Sequence, residues 1–362
     1  MTKSLPGSAG KEQHLRICLE RNVEFDRSAW FEHVWLIHCA LAGCQPAEVD
    51  TSATLLGREL SAPFLIGAMT GGTSDALAVN RDLAAVAQKL RIGMALGSQR
   101  AMLEDESLRR TYEVRDIAPD ILLLGNIGLS TAGTLEPRRL TRLLDDIGAD
   151  GICVYLNPAM ALFQPDRAGP VKHAAETIRR LADTLGERLI VKETGCGISR
   201  EVACALRELG VSTVDVAGAG GTSWVRVENI RYGSARAELL PFEEWGIPTA
   251  AAISEVSASG LRIIASGGIR SGLDLAKAVA LGAHIGSAAL PVLRALHAGG
   301  TEGLQRWLES LFEAFRLALV LTGNRDVGGL RSSPVVLTGP LWAWSRQRVG
   351  DSSDAGGKPS SC

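Results

Sequence analysis

The chain has 362 residues, 46% hydrophobic and 22% charged, with a formal net charge of -2. That composition belongs to a soluble globular protein and excludes the disordered and fibrous classes. Basic residues form no cluster, which removes nucleic acid and anionic membrane as standing partners, and no apolar run reaches the ~18 residues needed to span a bilayer.

Residues 1–10 are polar and contain Gly and Ser, so they read as a flexible N-terminus. They lack the apolar core of a signal peptide. The seven cysteines (Cys18, Cys39, Cys44, Cys153, Cys196, Cys204, Cys362) are scattered and odd in number, with no zinc-type spacing. This usage fits the reducing cytoplasm. The segment 15–60 is expected to cap the bottom of the fold or to pack beside it. From residue 64 onward, short apolar, β-branched runs alternate with longer helical patterns, which predicts βαβ units around a parallel sheet. Eight strands are predicted: Phe64–Ala68, Ile92–Leu96, Ile121–Gly125, Ile152–Leu156, Leu189–Lys192, Thr213–Ala217, Arg262–Ala265 and His284–Gly286. Most are near-continuous apolar runs, as strands buried on both faces require. Helical patterns lie between them at Asn80–Lys89, Glu176–Leu185, Glu201–Leu209 and Gly272–Leu281. The longer gap from Ala217 to Arg262 predicts an insertion or an elaborated loop. Residues 303–323 read as a closing amphipathic helix, and 350–362 as a disordered tail. The expected fold is an α/β protein, a (β/α)8 TIM barrel over 11–349 with an N-terminal extension.

In such barrels the chemistry sits at the C-terminal ends of the strands. Here those ends are polar and glycine-rich. Strand one runs into Met69-Thr70-Gly71-Gly72, strand two into Gly97-Ser98-Gln99-Arg100, strand three ends at Asn126 and strand four at Asn157. Gly267-Gly268 after strand seven, with a helix from about Gly272 and with Gly286 in strand eight, matches a phosphate site built from backbone N–H groups and a helix N-terminus. Lys192 ends the apolar run Leu-Ile-Val-Lys, so it is expected inside the barrel mouth, beside an anionic ring or a substrate phosphate. Ser98, Asn126 and Thr222 recur at successive strand ends and together suit the edge of a planar heterocycle. No GxGxxG opens a βαβ unit, so a nicotinamide site of the Rossmann type has no support.

These stretches, in this order, resemble type 2 isopentenyl diphosphate isomerase, an FMN enzyme. The resemblance runs through Pro63-Phe64-Leu65-Ile66-Gly67-Ala68-Met69-Thr70-Gly71-Gly72, Gly97-Ser98-Gln99-Arg100, Gly125-Asn126-Ile127-Gly128 and Val191-Lys192-Glu193. It continues through Val214-Asp215-Val216-Ala217-Gly218, Gly220-Gly221-Thr222, Trp245-Gly246-Ile247-Pro248-Thr249-Ala250, Ala265-Ser266-Gly267-Gly268-Ile269-Arg270-Ser271-Gly272-Leu273-Asp274 and Leu321-Thr322-Gly323. It covers roughly residues 11 to 335. It implies that Ala68, Met69, Thr70, Ser98, Asn126, Lys192 and Thr222 line the flavin, and that Gly267, Gly268, Arg270, Ala288 and Ala289 hold its phosphate. It implies Tyr155, Asn157 and Lys192 at the catalytic positions, with Lys11, His14, Arg100 and Met160 toward the substrate. Trp224, just past the strand-six loop, is a further candidate on the substrate side, to wall the pocket or stack on a carbocation, with plain packing as the alternative. The resemblance further implies reduced FMN as the active form, NADPH or another reductant to produce it, a small isoprenoid substrate and a homo-oligomer, a tetramer or octamer.

Two stretches depart from the family. The strand-four motif His-Leu-Asn-x-x-Gln-Glu reads Tyr155-Leu156-Asn157-Pro158-Ala159-Met160-Ala161 here. The glutamine that handles the substrate proton becomes Met160, the glutamate that binds magnesium becomes Ala161, and the N-terminal Arg-Lys pair becomes Gly10-Lys11. Neither Met nor Ala supplies a hard anionic oxygen, so no metal ligand is expected there, and the pocket becomes wider and more apolar. Gln164 and Asp166 stand downstream as alternative carriers of the lost roles. The expected function is redox-neutral chemistry on an isoprenoid double bond, isomerisation or proton-initiated cyclisation, with a larger or different prenyl substrate. Three alternatives stand beside it: ordinary isopentenyl diphosphate isomerase, an FMN-dependent oxidoreductase, and a catalytically silent flavin-binding protein. The oxidoreductase reading lacks a histidine after strand seven to serve as base.

Overall fold

A computed structural model describes residues 8–163, 171–233 and 237–349. Eight parallel strands close into a barrel: β1 (Phe64–Ile66), β2 (Gly93–Ala95), β3 (Leu123–Gly128), β4 (Gly151–Tyr155), β5 (Leu189–Lys192), β6 (Thr213–Asp215), β7 (Arg262–Ser266) and β8 (Ile285–Ala288). Closure is made by β8 on β1, with Gly286 opposite Phe64 and Ala288 opposite Ile66. All eight predicted strands are present. β3 starts later than predicted and runs through Asn126 to Gly128, because Leu124–Gly128 pairs residue by residue with Gly151–Tyr155. Asn126 therefore lies within a strand rather than past its end.

The barrel interior is filled from below. Leu65, Ala95, Leu122, Leu124, Cys153, Ile190, Ile264 and Ile285 form one buried cluster with Leu55 and Leu60. The last two come from a hairpin, Ala53–Leu55 with Arg58–Leu60, which plugs the N-terminal end of the barrel. Its two-residue turn puts both Leu56 (φ 50°) and Gly57 (φ 75°) in the left-handed region, the geometry that matches strand twist in tight hairpins. Leucine is costly there, but Leu56 packs against the barrel cluster, and that burial offsets the strain. Arg58 ties the hairpin to the wall through Asp150 at 2.8 Å.

The segment expected to cap the bottom or pack beside the barrel is divided among three places. Residues 53–60 plug the bottom. Val34–Leu36 pairs antiparallel with Val335–Leu337 at the side. Helix α1 (Ser8–Glu20) instead lies over the opposite rim, where Ile17, Cys18 and Val23 pack on Val227, Leu290 and Leu293. It takes in residues 8–10, which composition assigns to the flexible terminus; residues 1–7 and 350–362 lie outside the described residues. The long gap after β6 holds α2 (Trp224–Arg231), a 3-10 turn at Ala237–Glu244 and a helix at Thr249–Ser257. Helix α3 (Gly272–Ala280) follows β7. The closing helix α4 begins well before residue 303, spanning Leu290–Leu321 with non-helical backbone at Gly299 and Gly300. Among the described residues no helix is long and apolar enough to cross a membrane.

His284, just before β8, carries a readable pH dependence. Its Nδ1 accepts the Ile263 N–H at 3.2 Å. Burial, with the nearby charges of Arg331 and Arg262, lowers its pKa from 6.5 to about 4. The unfolded chain therefore binds the proton first as pH falls. The stability held by neutral His284 is present above about pH 6.5 and is lost as pH drops toward 4. His284→Asn keeps an acceptor and removes the titration. Urea unfolding at about pH 7 and about pH 5, on either side of the ordinary histidine pKa, should show a smaller acid loss in this variant than in the wild type; equal losses would remove His284 from the acid limb.

Candidate functional site

The polar ends of the strands enclose one large cavity of about 670 Å³ at the C-terminal mouth of the barrel. Its floor and walls include Ala68, Met69 and Thr70 after β1, Ser98 and Arg100 after β2, Asn126 from β3, and Tyr155, Asn157, Met160 and Ala161 from β4 and the turn beyond it. Lys192, Thr222, Gly267, Gly268, Arg270, Ala288 and Ala289 complete the circle, and His14 and Trp224 close it from above. Every sequence-predicted site residue lines this cavity except Lys11. That residue lies one turn before His14 in α1, and its side chain is outside the described residues, as are Gln164 and Asp166.

One side of the cavity is built for an anion. The backbone N–H groups of Gly267, Gly268 and Ala289 have no acceptor among the described residues. Gly267 and Gly268 have φ of 98° and 77°, and a Cβ on Gly267 would stand 2.1 Å from the Gly218 carbonyl oxygen. Glycine is required there because the β6 and β7 loops touch backbone to backbone. Two helices start near this site. The N-terminus of α3 is closed by a capping box in which the Asp274 carboxylate accepts from Ser271 N–H at 3.0 Å and from Arg270 N–H at 3.1 Å. An acid already fills that end. The end facing the cavity belongs to α4, whose N-cap Ala289 has no side-chain cap and leaves the positive end of the helix dipole open.

Arg270 also departs from a simple phosphate role. Its guanidinium donates to Glu24, which Arg294 also contacts at 2.7 Å. Burial alone would raise the Glu24 pKa, but hydrogen bonds and charge from Arg270 and Arg294 outweigh it and hold the carboxylate below its ordinary range. Glu24 thus anchors the cation at the cavity edge.

The opposite side suits a planar ring with polar edges. Thr70 Oγ1 and Asn126 Oδ1 are buried polar atoms with no partner among the described residues, a state that costs free energy unless a ligand answers it. Lys192 stands over the floor with its Nζ 3.8 Å from Asp215. Burial raises the Asp215 pKa, while Lys192 and the Ser266 hydroxyl pull it back. The Asp215 side chain accepts from Ser266 at 2.5 Å and from the Ala217 N–H at 3.1 Å. Sequence reasoning misses the role of Asp215, although an acid ending the run Thr-Val-Asp carries the same signal that picks out Lys192.

A family model described as FMN-dependent dehydrogenase matches residues 163–337. The isopentenyl-diphosphate delta-isomerase of Pyrococcus abyssi is 40% identical over 350 residues, 94% of this chain and 95% of that protein. The protein of the same name from Methanothermobacter thermautotrophicus is 42% identical over 340 residues, 93% of this chain and 95% of its own length. The chain belongs to the type 2 isopentenyl diphosphate isomerase family. Solved mandelate oxidase structures share the fold: one with an FMN adduct has a TM-score of 0.61 at 19% identity, over 91% of this chain and 93% of that one. A second, with (S)-2-phenylpropionate, has a TM-score of 0.61 at 20% identity, over 86% and 88%.

An isopentenyl diphosphate isomerase fold thus presents, at its β4 end, three side chains unlike the motif the resemblance sets there. The Tyr155 hydroxyl shares a hydrogen bond with Ser98 Oγ at 3.3 Å, and its ring fills the space beside Gly128, where a Cβ would meet it at 3.0 Å. Met160 and Ala161 sit on the helical turn Pro158–Phe163. Asn157 occupies a left-handed backbone position, φ 38°, one that asparagine tolerates better than most residues. Above them His14 Nε2 lies 2.9 Å from the fully buried Glu228, which also pairs with Arg231 at 3.3 Å. The His14 ring meets Trp224 edge-on at 5.4 Å. Glu228 and Arg231 escape sequence reasoning because Val-Arg-Val-Glu-Asn-Ile-Arg resembles any solvated helix until α1 is folded over it. Among the described residues no group of three His, Cys, Asp or Glu side chains could hold a metal.

Proposed function

We propose that this chain carries out redox-neutral acid–base chemistry on the double bond of a prenyl substrate larger than isopentenyl diphosphate, with reduced FMN held in the barrel mouth. The observation that carries the reading is the β4 wall, where Tyr155, Met160 and Ala161 all face the cavity. The fit for FMN rests on the unpartnered amides of Gly267, Gly268 and Ala289 and on the orphaned Thr70 and Asn126 side chains. Bound and reduced by NADPH or another reductant, the flavin supplies an electron-rich ring that can exchange a proton and stabilise a neighbouring cation.

The side chains divide the remaining work. Lys192 places a fixed positive charge on the floor, held by Asp215 and by the Glu193 carbonyl. Tyr155 keeps a transferable proton on its phenolic oxygen and is oriented through Ser98. Met160 and Ala161 exclude water and carry no transferable proton. Trp224 lines the same space, and His14, Arg231 and Arg100 supply donors for a diphosphate head.

The test is turnover of prenyl diphosphates by the anaerobically reduced holoenzyme. A product isomeric with the substrate, with the flavin still reduced, is expected; net flavin reoxidation would assign the chain to the oxidoreductases, and no product at all to the silent class. Because Ala161 offers no ligand oxygen, the same turnover is expected to be unchanged in EDTA. A strict magnesium requirement would place an oxygen ligand elsewhere in the site.

A further inference from the structure

The cavity floor carries a buried acid beside its cation. Lys192 ends β5, Asp215 ends β6, and the two strands pair with these residues in register. Both side chains line the cavity, yet Asp215 is only 4% exposed. One of its carboxyl oxygens faces Lys192 Nζ at 3.8 Å, and the other accepts from Ser266 Oγ and from the Ala217 N–H.

These partners are a cation and two donors, a set that selects the carboxylate over the protonated acid. Burial works the other way and raises the Asp215 pKa, so the charge on Asp215 depends on Lys192. The remaining titratable groups nearby add no free charge. Cys153, from β4, stays a thiol because burial pushes its pKa up to about 12. The Glu193 carboxylate is engaged by the Thr194 and Cys196 N–H groups at 2.6 and 2.8 Å. Lys192 also donates to the Glu193 carbonyl at 2.5 Å, so it keeps one anchor when Asp215 is changed.

We propose that Asp215 is a positioning residue that acts through Lys192: as its fixed counter-charge, it limits how strongly the floor favours a negatively charged reduced flavin over the oxidised one. The inference rests on the reading that FMN occupies the barrel mouth, and it deepens that reading. With the pair intact the floor is close to neutral, and the reduced ring retains the proton that acid–base chemistry on an alkene requires. A lone cation there would favour loss of that proton.

The test is the midpoint potential of bound FMN, read anaerobically against a reference dye. Asp215→Asn keeps an acceptor of the same shape and removes the charge. A unit charge acting across a cavity-sized distance of about 10 Å, at an effective dielectric constant of about 20, is worth at least tenfold. The variant should therefore favour reduced over oxidised FMN by at least about tenfold more than the wild type, a potential about 30 mV more positive for a two-electron couple. Asp215→Ala, which also loses the hydrogen bonds, should move the potential in the same direction. In a Lys192→Met background, where burial leaves the acid neutral, Asp215→Asn should not move it. Titrating apoprotein with oxidised and with reduced FMN gives the same ratio for any variant that purifies without flavin. An unchanged or more negative potential in folded Asp215→Asn would overturn the inference, as would a shift of equal size without Lys192. Failure of the wild type to hold FMN at all would instead remove the flavin reading beneath it, and that outcome is read separately from the potential.

Discussion

Gly268→Asp is expected to purify without flavin and to retain none after reconstitution. The wild type should be yellow and hold FMN non-covalently. Two effects act together. The substitution sets a carboxylate beside the Gly267, Gly268 and Ala289 amides, where a phosphate dianion would lie. It also adds a Cβ only 2.5 Å from that of Ala29, at a φ of 77°. The second effect threatens the fold itself, so Ala289→Asp provides the clean arm. There the carboxylate stands at the uncapped N-terminus of α4, where an acidic N-cap stabilises the helix by roughly 1 kcal/mol while occupying the anion site from within. Two lost charge-assisted hydrogen bonds amount to about 10²–10⁴-fold in FMN affinity. Fluorescence titration with FMN, alongside thermal unfolding, reads both quantities. Unchanged FMN affinity in a folded Ala289→Asp protein would move the phosphate to another part of the rim.

The α4 terminus also shows what is legible in the sequence. The eight barrel strands stand out because burial on both faces demands unbroken apolar runs, and their polar ends mark the rim. The two helix starts beside the strand-seven and strand-eight loops already differ in the sequence. Ser271-Gly272-Leu273-Asp274 reads as a self-contained capping box, which closes α3 to an outside anion, whereas Ala289-Leu290-Pro291 reads as a helix start with proline in its first turn and no cap. Pairings such as Val34 with Leu337 are not legible. Strands this short carry almost no periodicity, and each of these two finds its partner at the far end of the chain. The buried Glu228 is hidden for a related reason: only folding α1 across the rim makes an ordinary helix acid into the clasp of His14 and Arg231.

Restoring the family side chains at the β4 turn is expected to have the other large effect. Met160→Gln with Ala161→Glu should raise isopentenyl diphosphate turnover by about 10²–10⁴-fold, the usual worth of a positioned acid–base group. Either change alone should do little. Glutamine without the carboxylate leaves the diphosphate unanchored by metal, and the carboxylate without glutamine leaves no group on that wall to relay the proton. Gln and Met have similar length, so the first substitution needs little repacking. The glutamate of Ala161→Glu enters a position that already faces the cavity. Equal rates for the double variant and the wild type would show that these positions do not set the substrate.

The most direct measurement is the rate at which the wild-type holoenzyme, reduced anaerobically and supplied with magnesium, isomerises isopentenyl diphosphate, followed by proton exchange into the product in D₂O. With Met160 and Ala161 lining the reacting end of the cavity, turnover should fall at least two orders of magnitude below an ordinary enzymatic rate of roughly 1 per second. Turnover at that ordinary rate would contradict the account and return this chain to plain isopentenyl diphosphate isomerisation.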